Sequence, residues 1–458
     1  MDYSVFVLKI LPFSIGMALA LFFLYFAYVS RREKEYWAAR KALFMAVVLA
    51  LPYMLTTFIL APWQPYAVGL LLLLIIIPTI LFLIPRKKRR EVIPGPRGRI
   101  DERDIMFSRN RLEPGSKRFE NYYRAHPEKK EADDQFRRLP GLLKEGSAFY
   151  EPLSFTFADA TFETTQNLHP FVEGAAAAEK ISGDAEKNTS FILGWLKQAG
   201  TVSAGITELQ EEHLYSHVGR GKDYGREVRK EHRYAIAFTV EMSKNMMDAA
   251  PFGPTVMESA WQYLRAATIA VQLAEFIREL GYPARAHIDG NYRVVCPLVA
   301  RDAGLGEIGR MGLLMTPELG PRVRIGVVTT DIPLIPGKRK YDYSVIDFCE
   351  MCKKCADVCP SSAISEQPRR QINGVLRWQI NQEACFTYWC RIGTDCGRCV
   401  VACPYAHPTT FLHNMVRKGI RYSRNFARFA LWMDDFFYGR KPKPKPAPEW
   451  MNGIKKMV

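Results

Sequence analysis

The chain has 458 residues, of which 48% are hydrophobic, and a formal net charge of +16. This length leaves room for two or three domains with a sizeable core, which excludes a small scaffold held together mainly by disulfides. The positive charge could indicate nucleic acid, but much of it lies in basic runs beside apolar segments. We therefore expect a lipid membrane as partner and no nucleic acid.

Three apolar segments open the chain, at about residues 5–29, 42–60 and 66–84. Each has about 20 residues, which as a helix crosses a hydrocarbon core of roughly 30 Å. Lys9 is the one charged residue inside them. We predict a membrane anchor of three transmembrane helices in residues 1–85.

The charges of the connecting segments predict the orientation of this anchor. Residues 30–41 include five basic side chains and residues 86–90 are all basic, whereas residues 61–65 carry no charge. With three spans both basic segments lie on one side, so the positive-inside rule predicts a multi-pass protein of the cytoplasmic (inner) membrane, with residues 86–458 on the cytoplasmic face. The pair Arg31-Arg32 follows the first apolar segment, so we expect the anchor to be retained and not cleaved as a twin-arginine signal.

A soluble region follows the anchor. Residues 86–150 are polar and basic and predict a linker and the start of a soluble domain. In residues 151–344 an apolar stripe at helical spacing covers 255–280. Strand-like runs alternate with the helices at residues 234–240, 292–298 and 324–330. This pattern indicates a globular α/β or α+β domain.

The C-terminal part of the chain contains a cysteine-rich segment at residues 345–410 and a basic, aromatic segment at residues 411–458. In the latter we predict one helix at about residues 411–438, followed by an extended Lys-Pro tail. The cysteine-rich segment is the most informative stretch of the sequence.

Seven cysteines of this segment stand in two closely spaced runs, each ending in Cys-Pro: Cys349, Cys352, Cys355 and Cys359, then Cys396, Cys399 and Cys403. The spacing C-x2-C-x2-C-x3-C-P is typical of paired [4Fe-4S] clusters, in which the fourth cysteine of one run binds the cluster of the other run. Zinc sites lack the third cysteine and the proline, and disulfide frameworks suit small secreted domains.

This rule predicts the ligands of each cluster. The first cluster takes Cys349, Cys352, Cys355 and Cys403. The second cluster takes Cys359, Cys396 and Cys399, and it needs a further thiolate from upstream. The spacing alone leaves Cys385 and Cys390 as candidates.

A resemblance to a known family rests on the stretch Asp302-Ala-Gly-Leu-Gly-Glu-Ile-Gly-Arg-Met-Gly-Leu-Leu-Met-Thr-Pro-Glu-Leu-Gly-Pro-Arg-Val-Arg324, with support from residues 215–225 and 273–282. Over roughly residues 150–410 the chain resembles the catalytic subunit of corrinoid-dependent reductive dehalogenases. The resemblance implies an α/β, nitroreductase-like cobalamin-binding core with a ferredoxin-like insertion that holds two [4Fe-4S] clusters. It also implies cobalt without a protein ligand and an organohalide as substrate.

The resemblance also implies site residues. Tyr263, Asn291 and Arg324 match the catalytic positions of the family, and Cys385 matches its isolated upstream cysteine, which leaves Cys390 as a spare thiol. Four glycines would let the backbone approach the corrinoid: Gly304, Gly306, Gly309 and Gly312.

Each predicted catalytic residue has a use in reductive dehalogenation, because the carbon that loses halogen needs a proton. A phenol has an unperturbed pKa of about 10, and a neighbouring guanidinium favours the phenolate. We expect Tyr263 to donate the proton, Arg324 to bring its pKa down, and Asn291 to orient the phenol or the substrate.

The three predicted spans are similar to the separate anchor subunit of respiratory dehalogenases, here joined to the catalytic part in one chain. A catalytic part on the cytoplasmic face could take electrons from ferredoxin, from flavodoxin or from a membrane redox partner.

Two alternatives remain from the sequence. Epoxyqueuosine reductase has a similar corrinoid core and cluster pair but uses an aspartate as acid, and Asp289 would be the candidate here. A membrane-tethered ferredoxin-like electron carrier would need no corrinoid, but it leaves residues 150–340 without a purpose.

Overall fold

The computed structural model describes residues 6–59, 62–86, 98–339, 341–372 and 375–451. Three of its helices are long and apolar enough to cross a membrane, over Phe6–Arg32, Tyr36–Phe58 and Gln64–Leu83. The predicted apolar helices are therefore confirmed. Residues 87–97, which include most of the basic run and the first part of the predicted linker, lie outside the described residues.

In chain order the helices are α1 (Leu11–Arg32, after a π-helical turn at Phe6–Ile10), α2 (Tyr36–Leu55), α3 (Gln64–Leu83), α4 (Met106–Asn110), α5 (Lys117–Ala125), α6 (Pro127–Arg137), α7 (Pro152–Gln166), α8 (Ala185–Gln198), α9 (Lys244–Met247), α10 (Gly253–Glu279), α11 (Cys296–Asp302), α12 (Tyr343–Cys352), α13 (Lys354–Asp357), α14 (Gln382–Ile392), α15 (Arg398–Val401), α16 (Phe411–Tyr422) and α17 (Arg424–Tyr438). The strands are β1 (Ser203–Glu208), β2 (Tyr234–Glu241), β3 (Ala284–His287), β4 (Glu307–Ile308), β5 (Leu314–Met315), β6 (Val323–Thr330), β7 (Arg370–Ile372) and β8 (Val375–Arg377). Short 3-10 turns lie at Thr56–Phe58, Glu102–Asp104, His169–Phe171, Glu211–His213 and Pro404–Ala406.

The chain divides into two compact units. The first unit combines residues 1–89 with residues 409–442, and the second combines residues 90–408 with residues 443–458. The apolar N-terminal helices thus share a unit with α16 and α17, although residues 90–408 separate them in sequence. The boundaries predicted from sequence at residues 85, 150, 344 and 410 stay predictions.

Small residues let α1 and α2 pack closely in the first unit. Gly16 on α1 lies against α2, where an added Cβ would stand 2.9 Å from the carbonyl oxygen of Ala50. Ala42 and Ala46 are buried on the same helix, in a cluster with Phe437 of α17. Small residues at such contacts are typical of helices packed within a membrane.

A four-stranded sheet of order β1-β2-β6-β3 forms the centre of the second unit. All its pairings are antiparallel, so α+β describes this sheet better than the predicted α/β class. Helix α10 packs on it through a buried stripe that includes Ala267, Ala274 and Ile277. The predicted helix at 255–280 and the strands at 234–240 and 324–330 are confirmed.

Two predictions of local structure are wrong. Residues 292–298 do not form a strand: they make a single bridge between Val294 and Leu214, and α11 begins at Cys296. Pro297 explains this, because proline lacks the N–H that a sheet ladder needs and favours the first helical turn. The predicted helix at 411–438 is two helices, since Ser423 is extended (φ −129°, ψ 134°) and its Oγ accepts a hydrogen bond from the Phe426 N–H.

Candidate active site

Helix α10 and strand β6 bring Tyr263 and Arg324 together. The guanidinium carbon of Arg324 lies 4.6 Å from the centre of the Tyr263 ring. This geometry is a cation–π contact, in which the positive charge faces the electron-rich side of the ring. The two residues are distant in sequence, and the packing of α10 on the sheet creates their contact.

Two further side chains hold Arg324 in this position. Its Nη2 donates to the Ser259 hydroxyl and to Asp395 Oδ2, the latter at 3.2 Å. Ser259 stands one helical turn before Tyr263 on α10 and also contacts Asp395. Because Asp395 directly precedes Cys396, this ion pair joins the Tyr263–Arg324 contact to a cysteine loop.

The pKa of Tyr263 is raised above its ordinary value, which is the reverse of the predicted direction. Arg324 acts to lower this pKa, as expected. Burial, Asp289 and Asp395 act in the opposite direction, and their combined effect is larger. The phenol is therefore protonated at neutral pH.

Asn291 contacts Arg285 in the described structure, and its role in orienting the phenol or the substrate stays a prediction. Its Oδ1 accepts a hydrogen bond of 2.8 Å from Arg285 Nη2. Among the described residues, no hydrogen bond joins Asn291 to Tyr263. The nearby Asp289 instead affects the pKa of Tyr263, and its backbone carbonyl accepts a hydrogen bond from His169 Nε2 at 2.7 Å.

Sequence reasoning missed several groups around Tyr263. Tyr292 contributes a second buried phenol, whose pKa is raised well above its ordinary value by burial, by Asp289 and by Tyr263. Ser259 could have been found from its spacing of four residues before Tyr263, and Asp395 from its position beside Cys396. Arg322, two residues before Arg324, is buried and binds Glu241 and the Ala406 carbonyl.

The predicted corrinoid-contacting glycines lie in and beside the β4–β5 hairpin, but they do not share one role. A Cβ at Gly306 would stand 2.2 Å from the Met315 carbonyl oxygen, so this glycine permits close backbone approach inside the protein. A Cβ at Gly309 would stand 3.5 Å from Cys349 Sγ. The positions of Gly304 and Gly312 are open, with no atom closer than 4.0 Å.

The structure brings the predicted cluster cysteines together in two sets. The pKa of Cys403 is raised well above its ordinary value by burial and by Cys349, Cys352 and Cys355, which therefore lie close to it. The pKa of Cys399 is raised well above its ordinary value by burial, by three cysteines of its own set, Cys396, Cys385 and Cys359, and by Cys355 of the first set.

Cys385 and Cys390 differ in their surroundings. Burial and the neighbouring Cys359 and Cys396 raise the pKa of Cys385 to about 12. Burial alone raises that of Cys390, to about 11. Cys390 packs among apolar side chains that include Phe136 and Phe386, and this environment is that of a core residue.

The convergent thiols fit iron–sulfur clusters. Four sulfurs converge in each set, on buried cysteines in the first set and mostly half-buried ones in the second, and they match the donor atoms that a [4Fe-4S] cluster requires. The Ala363 N–H also donates to Cys359 Sγ at 3.2 Å, a contact that stabilises negative charge on sulfur. Lys353 and Cys396 adopt positive φ angles of 59°, which tighten the two loops.

The surroundings of Tyr263 fit a bound polar group. Arg324 Nε and Asp395 Oδ1 are buried, and neither has a hydrogen-bond partner among the described residues. Buried polar atoms of this kind normally have partners, so the site suits a ligand that supplies donors and acceptors. A corrinoid carries amide side groups that can do so.

Comparison with known proteins relates the cysteine-rich segment and the fold to known families. Residues 348–407 match the 4Fe-4S dicluster domain family. The chain shares the fold of the reductive dehalogenase NpRdhA, solved in complex with 3-bromo-4-hydroxybenzoic acid, with a TM-score of 0.62 and 24% identity over 79% of this chain and 50% of that chain. A further solved reductive dehalogenase, described as B12-dependent, gives a TM-score of 0.59 and 25% identity over 78% of this chain and 50% of that chain.

The sequence is also similar to particular characterised enzymes. It is 40% identical over 214 residues to the tetrachloroethene reductive dehalogenase of Sulfurospirillum multivorans, covering 45% of this chain and 42% of that protein. A shorter match of 90 residues, 33% identical, relates 20% of the chain to 20% of the epoxyqueuosine reductase of Staphylococcus aureus. The chain thus matches less than half the length of these two relatives. The tetrachloroethene reductive dehalogenase is an oxidoreductase.

Proposed function

We propose that this protein is a membrane-anchored reductive dehalogenase that removes halogen from an organohalide. The observation that carries the proposal is the contact of Arg324 with Tyr263, joined through Asp395 to the loop of Cys396. In this contact the protonated phenol of Tyr263 lies beside the Arg324 guanidinium, which can stabilise the phenolate. Asp395 connects both to the loop of Cys396, which in this proposal carries electrons. The likeness to reductive dehalogenases supports the same chemistry.

The cofactors in this proposal are cobalamin and two [4Fe-4S] clusters. One cluster is held by Cys349, Cys352, Cys355 and Cys403, and the other by Cys359, Cys385, Cys396 and Cys399. Cobalamin, when bound, supplies the electrons that cleave the carbon–halogen bond. The open backbone at Gly304 and Gly312 would contact it, and the nitroreductase-like description of this core belongs to the proposal.

Tyr263 supplies the proton in the proposed reaction. An organohalide takes up two electrons and one proton and yields the reduced product and halide. Burial, Asp289 and Asp395 keep the phenol protonated before transfer. As the O–H bond breaks, the Arg324 guanidinium stabilises the phenolate.

Asn291 has a positioning role in this proposal. Its Oδ1 bond with Arg285 fixes the segment that carries Asp289, which raises the pKa of Tyr263, and Tyr292, whose own pKa Tyr263 raises. Asn291 thus acts on the site through its neighbours in the described structure.

The three apolar helices anchor the protein in the cytoplasmic membrane, with the catalytic part on the cytoplasmic face. The basic segments beside the first and third helices support this orientation. Ferredoxin, flavodoxin or a membrane redox partner would deliver the electrons.

Metal analysis of the anaerobically purified protein tests the proposal. After expression with corrinoid supplied, we expect about one cobalt and eight iron atoms per chain, and halide release from members of a panel of organohalides. Eight iron atoms without cobalt would contradict the proposal and favour an electron carrier. Cobalt with reduction of epoxyqueuosine in tRNA, and no halide release, would favour the tRNA-modifying alternative.

A further inference from the structure

Helices α16 and α17 belong to the same compact unit as the three apolar helices, and their contacts define where they lie. The Tyr422 hydroxyl donates to the Leu83 carbonyl at 3.1 Å, and Asn425 Nδ2 donates to the Leu81 carbonyl at 3.2 Å. The last carbonyls of a helix have no partner within the helix. The turn between α16 and α17 therefore caps the C-terminal end of the third apolar helix.

Arg86, which follows α3, also binds the last turn of α16. Its guanidinium donates to the Ile420 carbonyl at 2.8 Å, and its backbone N–H donates to the Tyr422 carbonyl at 2.8 Å. The last turn of α16 and the end of α3 thus satisfy each other's carbonyl groups.

From its contact with the C-terminal end of α3, α17 extends to the C-terminal end of α1 and the N-terminal end of α2. Near its start, the Phe429 ring lies 5.0 Å from the ring of Phe82 on α3. Near its end, the Phe437 ring lies 4.7 Å from Phe26 on α1, and Lys41 on α2 lies 4.7 Å from the Phe436 ring. Fifteen residues span about 22 Å as a helix. Because these contacts lie toward the same ends of all three spans, α17 runs across them, roughly in the membrane plane.

The side chains of α17 form three stripes along the helix. At 100° per residue, Ala427, Ala430, Asp434 and Phe437 share the buried stripe. The aromatic stripe consists of Phe429, Trp432 and Phe436, whose rings contact one another in sequence. The basic stripe lies next to it and consists of Arg424 and Arg428, both exposed.

Helix α16 presents a similar outer surface. Phe411, Met415 and Tyr422 are exposed along it, together with Lys418. Exposed aromatic residues beside cations at the ends of membrane spans are typical of helices that lie in the headgroup region.

We propose that the helix pair Phe411–Tyr422 and Arg424–Tyr438 is an in-plane membrane element whose basic residues bind anionic phospholipid headgroups. The aromatic stripe enters the boundary between headgroups and acyl chains, where Trp432, 57% exposed in the protein, meets lipid. Lys418, Arg424 and Arg428 face the phosphates beside it. The proposal does not depend on the chemistry of the catalytic unit.

Bromolipid quenching tests the position of Trp432. The full chain is reconstituted in phosphatidylcholine nanodiscs with or without acyl-brominated phosphatidylcholine, and the emission of the Trp432→Phe variant is subtracted from that of the wild type. We expect bromine to quench the difference emission by about half or more, as for an interfacial tryptophan. Unchanged difference emission would overturn the in-plane placement. The conservative change to phenylalanine keeps the stacked ring.

Lipid retention tests the headgroup site. The full chain is taken from vesicles of equal phosphatidylcholine and phosphatidylglycerol into detergent, and native mass spectrometry counts the retained lipids. For Lys418→Gln/Arg424→Gln/Arg428→Gln we expect the ratio of phosphatidylglycerol to phosphatidylcholine to fall at least about five-fold. The control Lys144→Gln/Lys187→Gln/Lys197→Gln removes equal charge from exposed positions in the second unit and should keep the wild-type ratio. Equal retention in the two variants would overturn the lipid site.

Discussion

Arg324 stacks on the ring of Tyr263 at 4.6 Å and reaches Asp395 at 3.2 Å, so one guanidinium joins a phenol to the loop that carries Cys396. This arrangement has consequences for proton supply that can be measured separately from electron supply.

Replacement of Tyr263 by phenylalanine removes the proposed proton donor while keeping the ring beneath Arg324. We expect dehalogenation to fall by about a hundred-fold or more, the usual contribution of a general acid. Cobalt and iron contents should remain as in the wild type, since the phenol binds neither metal. Tyr150→Phe, an exposed tyrosine of the same unit, is the control and should keep full activity. An active Tyr263→Phe enzyme would remove this residue from the mechanism.

Replacement of Asp289 by asparagine should change the pH dependence of the reaction. The Asp289 carboxylate raises the pKa of Tyr263, so its neutralisation lowers that pKa. A proton donor is active below its pKa, and activity is lost as pH rises through it. The alkaline limb of the kcat profile should therefore move to lower pH in Asp289→Asn. A limb that stays in place, or moves upward, contradicts the assignment of Tyr263 as the titrating group.

Replacement of Asp395 by asparagine tests how Arg324 is positioned. The variant keeps the shape of the side chain but removes the charge that pairs with Arg324. We expect kcat to fall by about ten-fold, corresponding to roughly 1.4 kcal/mol of transition-state stabilisation, with a smaller change in KM. The visible spectra of the clusters and the iron content should be unchanged. Loss of iron instead would show that Asp395 serves the cysteine loop and not Arg324.

The two upstream cysteines should differ in iron binding. Cys385 lies among Cys359 and Cys396, whereas Cys390 lies among apolar rings. We expect Cys385→Ser to lose up to about four iron atoms per chain, the content of one cluster, and Cys390→Ser to retain all eight. Iron analysis and electron paramagnetic resonance of the reduced proteins measure this difference. The reverse result would exchange the roles of the two cysteines.

The elements that the sequence predicts well depend on regular spacing. The apolar stripe of α10 and the runs of β2 and β6 repeat at the period of their secondary structure, and the apolar helices are long and continuous. The segment at 292–298 shows where this reasoning fails, because Pro297 outweighs the alternation of apolar residues. Ser423 interrupts a helix for a similarly local reason, through its hydroxyl.

Contacts of the candidate site are harder to predict because they join residues far apart in sequence. Ser259, Arg324 and Asp395 come from a helix, a strand and a cysteine loop, and no spacing rule connects them. The pKa of Tyr263 depends on the sum of opposing effects from such neighbours, so its direction could not be read from Arg324 alone. Asn291 likewise binds Arg285, a partner that only the folded chain reveals.

The contact between Tyr422 and Leu83 joins residues 339 positions apart. A ribosome that adds 5 to 20 residues per second needs roughly 17 to 70 s to make the intervening chain. In the proposed membrane-anchored protein, the three apolar helices therefore enter the bilayer long before α17 exists, and the third of them waits for its cap until residues 422 to 425 have been made. Completion of the unit that contains the apolar helices is in this way tied to production of residues 90–408, so a product truncated before α16 would leave the third apolar helix without its cap.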